Sequence, residues 1–221
     1  MCGRFTLVSP AAVVTERFHA AAPAELKPRY NVAPAQEILC VIRDGPNRLE
    51  PLRWGLIPPW AKDPAIGNRL INARAETLAE KPSFREAFIR RRCLVVADGF
   101  YEWRAAGKRK VPVYLFLKSK GPFGFAGLYE RWKSPGGEEI RTCTIITTEA
   151  NELVRPLHNR MPVILPEDVE DEWLDPAANR RESLLSLLKP YPAAGMDAYD
   201  VTPVVNNTGH DAPDCILPAP R

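Results

Sequence analysis

A cysteine stands at position 2, directly behind the initiator methionine. It is small enough for Met1 to be trimmed, and trimming would leave Cys2 with a free α-amine beside its own thiol. The amine has an ordinary pKa of roughly 7.7–8.0 and the thiol about 8.5, so both are partly deprotonated near neutral pH. Such a 1,2-aminothiol condenses with an aldehyde: the amine gives a Schiff base, and the thiol closes a five-membered thiazolidine. The same thiolate can instead act as an ordinary nucleophile with the amine as its base. On placement alone, a position that merely tolerates a small residue is the plain alternative.

Further chemistry-bearing types sit in three polar stretches. Residues 72–76 read Asn-Ala-Arg-Ala-Glu, residues 99–103 read Gly-Phe-Tyr-Glu-Trp, and residues 158–162 read His-Asn-Arg-Met-Pro. Each is weak by itself, because a Glu beside a Trp is usually a surface carboxylate and a His in a turn is usually structural. Between them runs Trp54-Gly55-Leu56-Ile57-Pro58-Pro59-Trp60, whose paired prolines exclude a helix or strand interior and make a stiff aromatic loop. Trp54 reads as core. Trp60 reads either as core or as a wedge or stacking platform for bases.

The elements that must position these residues follow from pattern. Ser9-Pro10 reads as the start of a capped helix over 11–19. Residues 23–34 form a proline-punctuated loop. Residues 38–43 and 49–56 read as strands joined at Asp44-Gly45, a candidate hairpin. Ser83-Phe84-Arg85-Glu86 predicts a capping box opening a helix to Arg92, with Phe84, Phe88 and Ile89 inward and Arg85, Arg90, Arg91 and Arg92 on a basic face. Strands are expected at 93–97, 113–117, 123–129, 142–147, 163–165 and 198–201. Helices are expected at 148–155, 167–174 and 181–188. The irregular alternation with many hairpins predicts an α+β fold, in a single domain over 1–221. No dinucleotide, P-loop or nucleophile-elbow motif occurs.

Composition narrows the partners. Up to residue 110 there are 19 Lys+Arg against 11 Asp+Glu, and beyond it 11 against 16. A basic first half, rich in Arg, suits a polyanion as well as a solvated basic face. The five cysteines are odd in number and lack a C-x-x-C pair, and the three histidines lack ligand spacing. Neither a disulfide framework nor a metal or cofactor is expected, and a reducing cytoplasmic location is. No apolar run is long enough for a membrane helix, and no signal peptide is read before Cys2.

Taken together and in order, Cys2-Gly3-Arg4-Phe5, Tyr30-Asn31-Val32-Ala33-Pro34, Trp54-Gly55-Leu56-Ile57-Pro58 and the three polar stretches resemble the SRAP family, the SOS response-associated peptidases. The similarity runs from Cys2 through Pro162, and Val205-Asn206-Asn207 lies where the family has a similar loop. The resemblance implies a mostly antiparallel, bifurcated sheet with a small barrel-like part, surrounded by helices. It implies a monomeric sensor of abasic sites in single-stranded DNA, in which the N-terminal cysteine forms a thiazolidine with the ring-opened sugar, with lyase and peptidase (hydrolase) activity. Matched by motif, the catalytic residues are Cys2, Asn72 (orienting), Glu102 (general acid–base) and His158 (Schiff-base steps and reversal). The DNA-binding residues implied are Gly3, Arg4, Asn31, Pro34, Trp60, Arg74, Arg85, Trp103 and Arg160. Two readings compete with this one: an N-terminal-nucleophile cysteine peptidase acting on other proteins, and a non-catalytic single-stranded DNA-binding module.

Overall fold

A computed structural model describes residues 2–21, 25–107 and 109–220. Met1 and residues 23 and 24 of the proline-punctuated loop lie outside the described residues. In chain order the elements are β1 (Phe5–Leu7), α1 (Ala11–Phe18), β2 (Arg29–Val32), β3 (Glu37–Arg43), β4 (Asn47–Trp54), β5 (Asn72–Arg74), α2 (Arg85–Arg90), β6 (Arg92–Ala97), β7 (Gly99–Ala106), β8 (Arg109–Leu117), β9 (Phe123–Lys133), β10 (Glu139–Glu149), β11 (Arg160–Pro162), α3 (Glu167–Leu174), α4 (Arg181–Ser186) and β12 (Met196–Asp200).

The strands form two sheets. One runs β12-β8-β7-β1-β2 and is antiparallel throughout. The other runs β11-β10-β4-β3-β6-β9, and β10 also pairs with β9. The segment Thr142–Cys143 is bonded to Arg53–Trp54 of β4 on one side and to Tyr129–Glu130 of β9 on the other. Five strands therefore close on themselves, and closure removes the exposed edges that an open sheet would leave. Further along β10, Ile145–Thr147 pairs in parallel with β5, and Thr147–Glu149 pairs with β11. This splitting of partners along one strand is the bifurcation.

Alternation on β3 explains how the sheet is covered. Ile38, Cys40 and Ile42 join Phe5, Trp54, Phe100, Phe125 and Ile145 in the core between the sheets. Leu39 and Val41 face the opposite way, against Val14, Phe18, Phe88, Trp173 and Leu184 of the helices. The two sheets are tied by aromatic contacts, with Phe5 5.4 Å from Trp54 and 6.0 Å from Phe125 between ring centroids. Edge-on and tilted pairs at such distances are the favoured aromatic geometries. A third, smaller cluster of Tyr101, Tyr114, Val201, Val205 and Cys215 lies behind the first sheet, under the C-terminal residues.

Several local expectations are corrected. The expected caps do not form: α1 starts after Pro10 and α2 after Phe84, neither with a side-chain cap. Ser9 Oγ instead donates to Asp98 at 2.5 Å, and burial of the Phe84 ring fixes where α2 begins. No helix follows Thr148, because β10 runs on and sets Thr148 opposite Met161. The strand expected at 163–165 starts earlier, as β11, and continues through those residues only as an isolated bridge of Ile164 to Phe125. Arg92 is not on a basic surface: it is 4% exposed. Its guanidinium donates to the backbone carbonyls of Phe88, Ile89, Trp173, Asp175 and Ala178, closing the ends of α2 and α3. All five cysteines are free thiols. Among the described residues no helix is long and apolar enough to cross a membrane.

Candidate active site

The site forms where the start of the chain meets β5, β7 and the turn before β11. β1 pairs with β7 through Phe5 opposite Phe100, and Tyr101 N donates to Arg4 O at 3.0 Å. Continued one step, this antiparallel register sets Gly3 against Glu102. Side chains alternate on β7. Phe100 points to the core between the sheets, where Cys2 lies, and Glu102 shares its face. Tyr101 and Trp103 point to the other face, where the C-terminal cluster lies. Cys2 is fully buried and Glu102 is 5% exposed.

Burial raises the Glu102 carboxyl to about 7. A low-dielectric pocket disfavours the charged form of an acid, which is the physical cause. The Cys2 thiol is also pushed up, first by burial and then by the negative charge of Glu102, while a hydrogen bond from the Arg4 backbone N–H pulls the other way. The pocket therefore holds a carboxyl able to exchange a proton near neutral pH beside the Cys2 thiol.

Asn72 opens β5, opposite Ile145 of β10. Its Nδ2 donates to Cys2 O at 2.8 Å, fixing the residue that carries amine and thiol. Its Oδ1 is buried without a hydrogen-bond partner among the described residues. A buried amide oxygen left open is costly unless something else fills it, which marks it as an acceptor for an incoming hydroxyl or amine. His158 ends the turn after Val154, and its Nδ1 accepts the Arg160 backbone N–H at 2.9 Å. Burial lowers its pKa. Neutral imidazole with Nδ1 accepting carries its proton on Nε2, which leaves His158 with one N–H to donate.

The implied DNA-binding residues separate into two groups. Trp60 is 58% exposed at the tip of its loop. Gly55 allows that loop: its φ is +130°, and a Cβ there would meet Gly67 O at 2.7 Å. Arg74 and Arg85 are exposed, and Gly3, Pro34 and Trp103 are half-buried. Arg74 lies two residues from Asn72 on β5, whereas among the described residues no hydrogen bond or ion pair ties Arg85, which opens α2, to the Cys2 group.

The other three are already committed inside the protein. Asn31 is 0% exposed and Arg4 9%. Arg4 donates to Asn31 Oδ1 at 2.6 Å and Val205 O at 2.7 Å, with its guanidinium 5.7 Å from the Trp103 ring. Arg160 forms a forked pair with Glu76 at 2.6 and 2.9 Å and donates to Thr147 O at 2.5 Å. That pair also holds the Glu76 carboxyl below its ordinary value. A charge count along the chain cannot separate a free arginine from one paired 84 residues away.

Sequence reasoning missed the C-terminal residues. His210, Asp214 and Cys215 bring their ligand atoms within 4.8 Å of one another, although no ligand spacing is read around the histidines in the sequence. Each has a protein partner: His210 Nε2 and Asp214 Oδ1 are 2.7 Å apart, and the Cys215 thiol donates to His210 O at 3.6 Å. The cluster reads as a fastening of the segment. The one sequence signal for this region was the Val205-Asn206-Asn207 loop.

The chain is similar over nearly its whole length to known proteins. "Abasic site processing protein YoqW" of Bacillus subtilis is 52% identical over 98% of this chain and 99% of its own. "Abasic site processing protein HMCES" of Gallus gallus is 34% identical over 76% of this chain, which matches only 56% of that longer protein. A crystal structure of a Bacteroides thetaiotaomicron protein superposes with a TM-score of 0.90 at 31% identity, covering 99% of this chain and all of the other. The profile of the SOS response associated peptidases matches residues 1–208. With its motifs, its closed and bifurcated sheet and this match in agreement, the chain belongs to the SRAP family.

Proposed function

We propose that this protein captures abasic sites in single-stranded DNA by a covalent bond to Cys2, once Met1 has been removed. The observation that carries the reading is Glu102: a carboxyl 5% exposed, with a pKa of about 7, on the face of β7 that Cys2 shares. Abasic deoxyribose is mostly a closed ring, and its aldehyde is released when a proton reaches the ring oxygen. Glu102 in its acid form supplies that proton. The Cys2 amine adds to the aldehyde, and water leaves as the Schiff base forms. The thiol then adds across the C=N bond, its sulfur to carbon and its proton to nitrogen, closing the thiazolidine. Asn72 holds Cys2 by its carbonyl and offers Oδ1 to a sugar hydroxyl. His158 offers Nε2–H at the Schiff base. A Schiff base at this carbon also acidifies the adjacent C–H, the basis for a lyase side reaction.

Trp60 would stack on bases that a duplex keeps covered, and Arg74 would meet a flanking phosphate; Trp103, implied by the resemblance as a second stacking platform, is instead held by Arg4 and Asn206 against the C-terminal cluster. Exposure of Trp60 and Arg74 supports this reading. The relatives' names, which speak of processing abasic sites, support the substrate class.

The test is denaturing electrophoresis after incubating Met1-trimmed protein with abasic single-stranded DNA. A stable adduct is expected for the wild type, and none of the same stability for Cys2→Ala. Equal adducts from both proteins without reductant would overturn the thiazolidine. The peptidase reading is checked in the same preparation with a fluorogenic peptide mixture, and Cys2-dependent turnover there would favour it.

A further inference from the structure

Behind β7, which carries Glu102, and the segment from Cys2 into β1 lies the stretch 203–216, folded as two short 3-10 turns over Pro203–Asn206 and Pro213–Ile216. Its contacts with the rest of the chain are concentrated on few residues. Asn31 Nδ2 reaches three of its carbonyls: Val205 O at 3.2 Å, Asn207 O at 2.9 Å and His210 O at 2.6 Å. The Asp211 carboxylate accepts from Arg29 Nε and Tyr30 N, both at 2.5 Å, and from Asn31 N at 3.0 Å. Asn206 Oδ1 accepts Trp103 Nε1 at 2.8 Å, and Val205 O accepts Arg4 NH1 at 2.7 Å. The His210–Asp214 pair closes the second turn on itself.

The two side chains gripped are the neighbours of the reacting groups. Trp103 follows Glu102 directly. Arg4 lies two residues after Cys2, its backbone N–H bonds the Cys2 sulfur, and its carbonyl takes Tyr101 N at 3.0 Å on the strand of Glu102. Arg4 is thus the residue whose backbone touches both the nucleophile and the acid's strand, while its side chain is held from behind.

That hold is an unusual way to fill a core. A guanidinium taken out of water is costly, and a protein needing only packing would place an aliphatic side chain there. Among the described residues no carboxylate is bonded to Arg4. Its hydrogen-bonded charge is met by Asn31 Oδ1, by Val205 O and by the Trp103 face. Directional acceptors of this kind fix a position, which burial of an apolar group does not.

We propose that residues 203–216 are a latch that sets the geometry of the site from behind, with Asn31 as the positioning residue linking the latch to Arg4 and Asn206 linking it to Trp103. This inference rests on the reading of Cys2 and Glu102 as the reacting pair. Loosening the latch leaves the reacting groups and the exposed DNA-facing residues in place but lets Arg4 and Trp103 move. The chemical step then slows while DNA affinity holds.

The test uses the full, Met1-trimmed chain with Asn31→Ala and Asn206→Ala. Single-turnover crosslinking to abasic single-stranded DNA gives the rate at saturation, and a titration with the same DNA lacking the abasic site gives Kd. A DNA-free readout is the rate at which iodoacetamide alkylates Cys2, mapped by peptide mass spectrometry. Asn206→Ala removes one hydrogen bond and is expected to slow crosslinking about twofold to tenfold, with Kd within twofold. Asn31→Ala removes bonds to a charged partner and is expected to slow it at least tenfold, with Cys2 alkylation slowed too. Asn206 is exposed, so that variant decides the matter if Asn31→Ala does not fold. Folded variants that crosslink and alkylate at wild-type rates overturn the latch. Slower alkylation in the variants, in a protein whose wild type forms no crosslink, sustains the latch and overturns the abasic reading instead.

Discussion

Glu102→Gln should make the protein slower and more stable at once. The carboxyl sits at about 7 against an ordinary 4.5 because burial disfavours its charge. Its folded pKa lies above its unfolded one, so between pH 4.5 and 7 the folded state keeps a proton that the unfolded state has released. Stability therefore falls as pH rises through that window and stays lower above it. At about 1.36 kcal/mol per pH unit, the cost above pH 7 is about 3 kcal/mol. Glutamine keeps the shape and hydrogen bonding without the charge, so it should recover that amount. For a chain of this size, this corresponds to a Tm about 6–12 °C higher at pH 8, with no gain at pH 4. Crosslinking should move the opposite way. A positioned acid–base group is worth about 10²–10⁴ in rate, and Glu102 contributes nothing attractive to a phosphate. Single-turnover crosslinking at saturating protein should fall by that factor while Kd for single-stranded DNA stays within about twofold, and the rate should lack the decline near pH 7 that an acid of this pKa is expected to give the wild type. Thermal melts at pH 4 and 8 and quenched time courses across pH 5–9 measure both. A folded Glu102→Gln protein that crosslinks at the wild-type rate removes Glu102 from the chemistry, and an unchanged Tm at pH 8 removes the argument from desolvation.

Trp60→Ala should weaken binding to single-stranded DNA by about 1–3 kcal/mol, as loss of a stacking partner does. Because Trp60 is 58% exposed, Tm should stay within a degree or two, and a matching drop in Tm would place Trp60 in the core instead. Arg92→Met strips a charged donor from five backbone carbonyls at the ends of α2 and α3. Denaturant unfolding should show a loss of about 3 kcal/mol or more, with the crosslinking rate of the folded fraction unchanged. Gly55→Ala puts a Cβ 2.7 Å from Gly67 O at a φ of +130°. It should destabilise by about 1–3 kcal/mol and lower DNA affinity along with it, since the Trp60 loop hangs from that turn. A melt and titration equal to wild type would contradict this.

The sequence alone determined what depends on short range. The hairpin of β3 and β4 was legible because two short apolar, strand-like runs flank an Asp-Gly turn, and Gly45 indeed takes a positive φ of 80°. The helix expected at 167–174 is α3, with the same bounds. Trp54 was readable as core, and the aminothiol at Cys2 is a property of one residue and its place in the chain. By contrast, β1 and β2 are three and four residues long. Strands that short carry no periodicity, and they exist because β7 and each other's backbones satisfy their hydrogen bonds. The barrel closes where Cys143 meets Trp54 in parallel, a pairing decided by the whole sheet's geometry. Above all, tertiary structure sorted the arginines. Arg74 stays in water, Arg160 is spent on Glu76, Arg92 closes two helices and Arg4 is held from behind by Asn31 and Val205. All four carry the same charge in the sequence. What each does depends on which acceptors the fold brings within hydrogen-bond reach, and those acceptors are mostly backbone carbonyls, which every residue has and no sequence pattern marks.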